Sequence, residues 1–197
     1  MKKNFNSAEY WEKRYKSGRN SGGGSYGDNC TYKASIINQF LEENNISSAI
    51  ELGCGDGNQL SHIDYKKYYG YDVSETVVNL CKEKFANSQQ FKFTNKINDL
   101  PSKAELSLSL DVIYHLIEDE VYEEYLKQLF DRSSEYVIIF SSNFIDKKSS
   151  EHVKHREFVI DIEKRIPNFF LYKTIETPKS IHSSANFYFF KKGDKNV

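Results

Sequence analysis

At 197 residues the chain has the length of one domain with a substantial core. Its 27 basic and 28 acidic side chains leave a net charge of -1, so no global positive field draws in nucleic acid. No apolar run approaches the length a membrane span requires, and three scattered cysteines, at 30, 54 and 81, make neither a metal site nor a disulfide framework, which together set the expectation of a cytoplasmic protein.

Residues 8 to 16, Ala-Glu-Tyr-Trp-Glu-Lys-Arg-Tyr-Lys, read as a short helix carrying Tyr10, Trp11, Arg14 and Tyr15. Ser17 to Asp28 then holds five of the ten glycines, a loop costly to order and expected to stay mobile until something binds. No Gly-Lys-Ser or Gly-Lys-Thr follows, so it is not a P-loop. Residues 31 to 44 read as an amphipathic helix with Tyr32, Ile36, Ile37, Phe40 and Leu41 on one face. The first 46 residues therefore read as a helical cap and glycine-rich lid, over a core at 47–197, within a single domain.

Ala49-Ile50-Glu51-Leu52 is a short apolar run suited to a buried strand, and it breaks into glycines at 53, 55 and 57 before helix-compatible residues resume. Such a turn brings bare backbone amides close to a nucleotide-like ligand. The spacing is not that of a dinucleotide fingerprint, because Asn58 stands where the third glycine is required, and this disfavours an NAD-dependent oxidoreductase.

The run Glu51-Leu52-Gly53-Cys54-Gly55-Asp56-Gly57 resembles motif I of the class I S-adenosylmethionine-dependent methyltransferases. The resemblance implies a Rossmann-like, doubly wound, mostly parallel seven-stranded α/β sheet with an antiparallel C-terminal strand. It also implies that Glu51, Gly53, Cys54, Gly55 and Gln59 contact the cofactor, S-adenosylmethionine, with S-adenosylhomocysteine as product. An acid at the strand end attracts the sulfonium and ammonium, and open backbone amides hold the carboxylate. Arg14 or Tyr26 in the lid is then expected to reach that carboxylate or the substrate.

Tyr68 to Asp72 is a second strand candidate, and Asp72 ends it about 20 residues past the first glycine, where an acid accepts hydrogen bonds from ribose hydroxyls, with Val73 beside it. Ser74 is an equally good cap for the helix that follows. Phe91 to Thr94 is a third strand, after which Asn95, Asn98 and Asp99 compete for the adenine contact. Leucine alternates with serine from Leu106 to Leu110, the period of a strand, and Asp111 marks its C-terminal edge. Ligands bind outside the carboxyl ends of parallel strands, so Leu110 and Asp111 share the crevice with Gly53 and Asp72. Class I methyltransferases place motif IV here, next to the transferring methyl. If the chain winds helically onward, His115 joins Asp111 on one face, with Tyr114 beside it. A histidine of ordinary pKa is a convenient base for an alcohol acceptor, and the alternative is that His115 only orients substrate.

A helix at 119–130 leads to Tyr136-Val137-Ile138-Ile139-Phe140, a central buried strand. His152, His155 and Arg156 then cluster in a connection that either borders the substrate pocket and binds a phosphate or carboxylate, or is the solvated start of a helix ending at Pro167. Residues 169–175 and 186–190 read as closing strands. Prolines stand only at 101, 167 and 178, which rules out both the Pro-Pro-Tyr signature of adenine amino-methyltransferases and the Pro-Cys of cytosine enzymes. A small-molecule acceptor, methylated on O or N, is the resulting expectation, with no nucleic-acid or membrane partner and the oligomeric state open. The wider chain resembles small bacterial methyltransferases, some linked to surface glycans, which implies a sugar-related or phosphorylated acceptor. A binding module that holds the cofactor without catalysis is the alternative.

Overall fold

The computed structural model describes residues 5–146 and 149–193. Helix α1 (Ser7–Lys16) is capped by Asn6, whose side chain accepts from Glu9 N, and α2 (Gly27–Glu43) begins four residues earlier than expected. Strand β1 (Ala49–Leu52) is followed by β2 (Tyr68–Tyr71), α3 (Glu75–Lys84) and β3 (Phe91–Thr94). Then come β4 (Ala104–Leu110), α4 (Asp119–Asp131), β5 (Ser133–Ser141), α5 (Phe158–Arg165), β6 (Phe169–Ile175) and β7 (Asn186–Lys192).

The seven strands form one sheet in the order β3-β2-β1-β4-β5-β7-β6. β1 to β5 are parallel, and β7 runs antiparallel to both β5 and β6. This is the expected doubly wound, Rossmann-like architecture. Alternation along each central strand divides the core between the two faces. Leu106, Leu108, Ile138, Phe140 and Phe189 pack with Ile37 and Phe40 of α2 and Val78 of α3. On the other face Val137, Ile139 and Phe190 meet Leu126 and Leu129 of α4 and Ile162 of α5. The serines of β4 lie buried among these apolar groups, and Ser109 Oγ finds the Tyr125 hydroxyl at 2.7 Å.

Two expectations about the layers are corrected. α2 belongs to the core, since Ala34, Ile37, Phe40 and Leu41 are buried in it, so only α1 and the loop to Tyr26 act as cover. No α-helix follows the glycine turn, where a single 3-10 turn (Leu60–His62) leads to β2. Only residues 58–67 separate Gly57 from β2, and α2 fills the layer a helix would occupy. Asn38 of α2 serves that short connection, donating to His62 O at 3.0 Å and accepting from Asp64 N at 2.9 Å. Among the described residues no helix is long and apolar enough to cross a membrane.

Candidate active site

The sheet order reverses between β1 and β4, and at that switch point the carboxyl ends of β1, β2 and β4 open on a cavity of about 500 Å³. Glu51, Gly53, Cys54, Gly55 and Gln59 line its floor, Asp72 and Val73 one side, and Leu110, Asp111 and His115 the other. Ser7, Trp11, Tyr15 and Ser21 close it from above, and Lys33 reaches it from α2.

The turn that makes the floor depends on glycine. Gly53, Gly55 and Gly57 have φ of 88°, 56° and 68°, and a Cβ at Gly53 or Gly55 would collide with Val112 or with Ser21 Oγ. The amides expected to be open are already used. Gly53 N and Cys54 N donate to Tyr71 O at 2.7 and 2.9 Å, Gly55 N to Asp72 Oδ2 at 3.0 Å, and Asp56 N to Ser21 Oγ at 2.9 Å. The turn is thus laced to the end of β2 and to the cover, because buried amides so near one another must all be paired.

Asp72 also accepts from Ser74 N at 3.0 Å, and burial lifts its carboxyl to about 6 against the pull of these two N–H donors. Ser74 does cap α3, its hydroxyl accepting from Val77 N. Glu51 is buried with Tyr68 donating to it at 2.7 Å, and burial raises its carboxyl to about 7. Gln59 gives its amide nitrogen to Cys30 O at 3.0 Å, while its buried Oε1 has no hydrogen-bond partner among the described residues.

Asp111 stands just beyond β4 in the left-handed region, at φ 59°, which costs strain at a non-glycine residue. Lys33 Nζ meets its Oδ2 at 2.5 Å and the Tyr114 hydroxyl donates to its Oδ1 at 2.8 Å. The residues after it wind as a 3-10 turn, Ile113–His115, so Tyr114 and not His115 bonds the carboxylate. His115 Nδ1 lies 2.9 Å from His152 O, which puts the proton on Nδ1 and leaves Nε2 as an acceptor. Burial lowers the imidazole to about 4, so it is neutral at pH 7 and a weaker base than the ordinary histidine expected from sequence. Trp11 and His152 hold the ring from either side, at centroid distances of 4.9 and 5.6 Å.

The cover is pinned at several points, contrary to the expectation of a loop that waits for ligand. Ser7 donates from N and Oγ to Glu118, at 2.9 and 2.5 Å. Glu12 accepts from Ser74 Oγ and Thr76 Oγ1 at the start of α3, at 2.5 and 2.8 Å, and the Ser74 hydroxyl leads in holding its carboxyl down at about 2. Ser21 N and the Tyr26 hydroxyl both donate to Asp56 Oδ2, at 2.8 and 2.9 Å.

Several residues expected at the site lie off the cavity. Arg14 Nε donates to Asn20 O at 2.7 Å and its guanidinium lies over Trp11, while Tyr26 is spent on Asp56. Of the adenine candidates none lines the cavity, which Ile97 lines instead. Asp99 accepts from Thr94 Oγ1 at 3.2 Å. The cluster at 152–156 is not an anion site. Arg156 is buried, with its terminal nitrogens donating to Leu116 O, Ile117 O and Asp119 Oδ1 at 2.6, 3.2 and 2.8 Å and its plane 4.3 Å above Tyr122. His155 pairs with Ser142 Oγ at 2.6 Å, and His152 stacks between Tyr10 and His115. The Arg156 and His152 contacts brace residues 115–119 from behind.

Lys33 escaped the sequence reading. Its mark there is a lysine one turn before Ile36 and Ile37 and two before Phe40, on the apolar stripe of an amphipathic helix, where a charge has no reason to sit without a partner. Glu12 and Ser21 carry no such mark, because their partners are distant in sequence.

Residues 50–133 match a family described as a methyltransferase domain. A search of curated proteins finds no match. Among solved structures, the chain is similar to the magnesium protoporphyrin IX methyltransferase of Synechocystis PCC 6803 with bound S-adenosylmethionine, at TM-score 0.66 and 17% identity, covering 98% of this chain and 100% of that one. It is similar to the N-methyltransferase NodS of Bradyrhizobium japonicum WM9 in complex with S-adenosylhomocysteine, at TM-score 0.70 and 13% identity, over 95% and 99% of the two chains. A putative RNA methyltransferase of Pyrococcus horikoshii follows at TM-score 0.58 and 15% identity, over 95% and 89%.

The fold is the one these solved structures share, two of them with S-adenosylmethionine or S-adenosylhomocysteine bound, and the segment that matches the methyltransferase domain runs from β1 to the start of β5. The residues that line the cavity suit S-adenosylmethionine: a buried carboxylate pair in Glu51 and Asp72 for cationic and hydroxyl groups, and a buried amide oxygen on Gln59 that lacks a donor among the described residues.

Proposed function

We propose that the protein transfers a methyl group from S-adenosylmethionine to an oxygen or nitrogen atom of a small molecule. The observation that carries this reading is the shared cavity, in which Asp111 and His115 face the same space as Glu51, Gly53 and Asp72. Glu51 and Asp72 would hold the cationic and ribose portions of the cofactor, and Val73, Leu110 and Ile97 supply apolar wall. When bound, S-adenosylmethionine supplies an electrophilic methyl on a sulfonium.

His115 presents Nε2 as an acceptor for the hydrogen of an incoming hydroxyl or amine and so orients its lone pair. A pKa near 4 does not disqualify it as proton acceptor. Once the new bond to carbon has begun to form, the acceptor atom becomes cationic and its proton strongly acidic, so a weak base suffices. Trp11 and other residues of α1 line the cavity and shield part of it from solvent, which favours the displacement over hydrolysis. The modest size of the cavity and the net charge of -1 both support a small acceptor over a nucleic acid.

The test is release of S-adenosylhomocysteine when the protein and cofactor are offered a panel of alcohols, amines and carboxylic acids alongside structured RNA. Turnover on a small hydroxyl or amine is expected. Turnover confined to RNA overturns the substrate class, and cofactor binding without turnover on any class overturns catalysis.

A further inference from the structure

The charges that line the cavity are one-sided. Glu51, Asp72, Asp111, Glu118, Glu120 and Glu124 bring six carboxyl groups to its wall against the one ammonium of Lys33, which already meets Asp111 Oδ2 at 2.5 Å. Burial keeps part of Glu51 protonated, and S-adenosylmethionine adds a single net positive charge, yet an excess of negative charge remains. Arg14 does not offset it, since it lies off the lining with its guanidinium over Trp11 and its Nε on Asn20 O. Hydrogen-bonding capacity leans the same way. The amides of residues 53 to 56 donate within the protein and the Tyr125 hydroxyl donates to Leu52 O at 2.8 Å, whereas Gln59 Oε1 is buried without a donor among the described residues and His115 Nε2 is left as an acceptor. A cleft lined by one sign of charge concentrates ligands of the other, and a buried acceptor costs free energy until a donor reaches it.

The 3-10 turn that ends at His115 runs on into α4, so His115, Glu118, Glu120 and Glu124 follow one another along one stretch of the wall. Glu118 is held by Ser7, but among the described residues Glu120 makes no hydrogen bond or ion pair and Glu124 accepts only from Gln128. We propose that the methyl acceptor is a primary or secondary amine on a small molecule without anionic groups, drawn in by Glu120 and Glu124 and oriented at His115. The inference rests on the methyl-transfer reading above and narrows its acceptor to nitrogen. An amine lone pair is nucleophilic once its own proton has left to solvent, whereas an alcohol leans on a base and an anionic acceptor needs a free cation in the wall. The nitrogen lone pair forms the bond to the methyl carbon as the carbon–sulfur bond breaks and leaves its electron pair on sulfur. The nitrogen thereby becomes cationic, and one of its protons passes to His115 Nε2 and on to solvent. Carboxylates fixed in the wall favour the positive charge that develops there.

Acceptors matched in skeleton and differing in one group test this: butylamine, butanol and butyrate, then benzylamine, benzyl alcohol and benzoate. Release of S-adenosylhomocysteine is measured with each, and amine rates are taken per free base so that the titration of the amine itself is divided out. The amine should exceed the alcohol in kcat/KM by at least about tenfold in the set that fits the cavity, and the carboxylate should not be turned over. An alcohol or carboxylate that matches or outruns the amine overturns the proposal and leaves methyl transfer standing. No turnover of any of the six overturns the methyl-transfer reading with it. The double variant E120Q/E124Q then tests the wall. It should raise KM for the amine by about two- to tenfold, more at low salt than at high, and leave calorimetric affinity for S-adenosylhomocysteine within about twofold. An unchanged KM, or an equal loss of S-adenosylhomocysteine affinity, overturns the proposal.

Discussion

The chain just past β2 and just past β4 carries a carboxylate each, Asp72 and Asp111, and the two are held in opposite ways. Asp72 is gripped by backbone, accepting from Gly55 N and Ser74 N, and so ties the glycine turn to the start of α3. Asp111 is gripped by side chains, Lys33 and Tyr114, on a strained backbone. Backbone donors cannot be removed by substitution and fix the local chain path, whereas side-chain partners can exchange for a ligand. The β2 end is therefore built as a fixed wall and the β4 end as an adaptable one.

The largest expected effect tests the fixed wall. D72N keeps one oxygen for one of the two backbone donors and sets an amide NH₂ against the other, besides removing the charge, and calorimetry should show S-adenosylhomocysteine affinity falling by more than about a hundredfold. A variant that binds as the unmodified protein does would show the two carboxylates to be interchangeable, and the comparison would fail.

A smaller effect is expected behind the adaptable wall. H115A should slow turnover by about ten- to a hundredfold while leaving the affinity for S-adenosylhomocysteine nearly unchanged, because the proposed role of His115 is toward the acceptor and not the nucleoside. The imidazole titrates near 4, so the rate it supports should be flat as pH rises from 6 to 8. An inflection near pH 6.5 that H115A abolishes would mean that burial does not hold the ring in its neutral form. Since burial lowers this pKa, the unfolded chain takes up the proton more readily, and His115 costs stability as pH falls from about 6.5 toward 4.

The smallest effect is a proton count. Burial raises the Glu51 carboxyl to about 7, so part of it is protonated at pH 7 before a cation arrives. Binding of a sulfonium or ammonium favours the ionised form and should release protons at pH 7, read from the dependence of calorimetric enthalpy on buffer. E51Q should bring that release near zero, and an unchanged release would assign it to another group. The sign for stability follows from the same shift. A raised carboxyl pKa favours the folded state at low pH, and this contribution is lost as pH climbs from about 4.5 to about 7.

The strand at 49–52 and its glycines were legible because the pattern is local: an apolar run, then residues whose φ must be positive. β2, β4, β5 and α4 were legible for the same reason, their periodicity being set by which face meets the core. The missing helix after Gly57 was not, since residues 58–67 suit a helix in isolation and only the presence of α2 in that layer makes one unnecessary. His152, His155 and Arg156 read as an anion site because residue type carries charge but not orientation. The guanidinium found three carbonyl and carboxylate partners from residues 116 to 119 instead.

What the amino-acid order determined by itself was the doubly wound sheet, the turn at 53–57 and the strand-end acids at 72 and 111, because each follows from local periodicity, glycine conformation or the rule that parallel strands end at a ligand. What only the tertiary structure decided was which charges meet. Lys33 and Asp111 are 78 residues apart, Glu12 and Ser74 are 62, and Ser7 and Glu118 are 111. Pairing across such separations depends on how α1 and α2 pack over the sheet, and burial then forces each charge onto the one partner within reach.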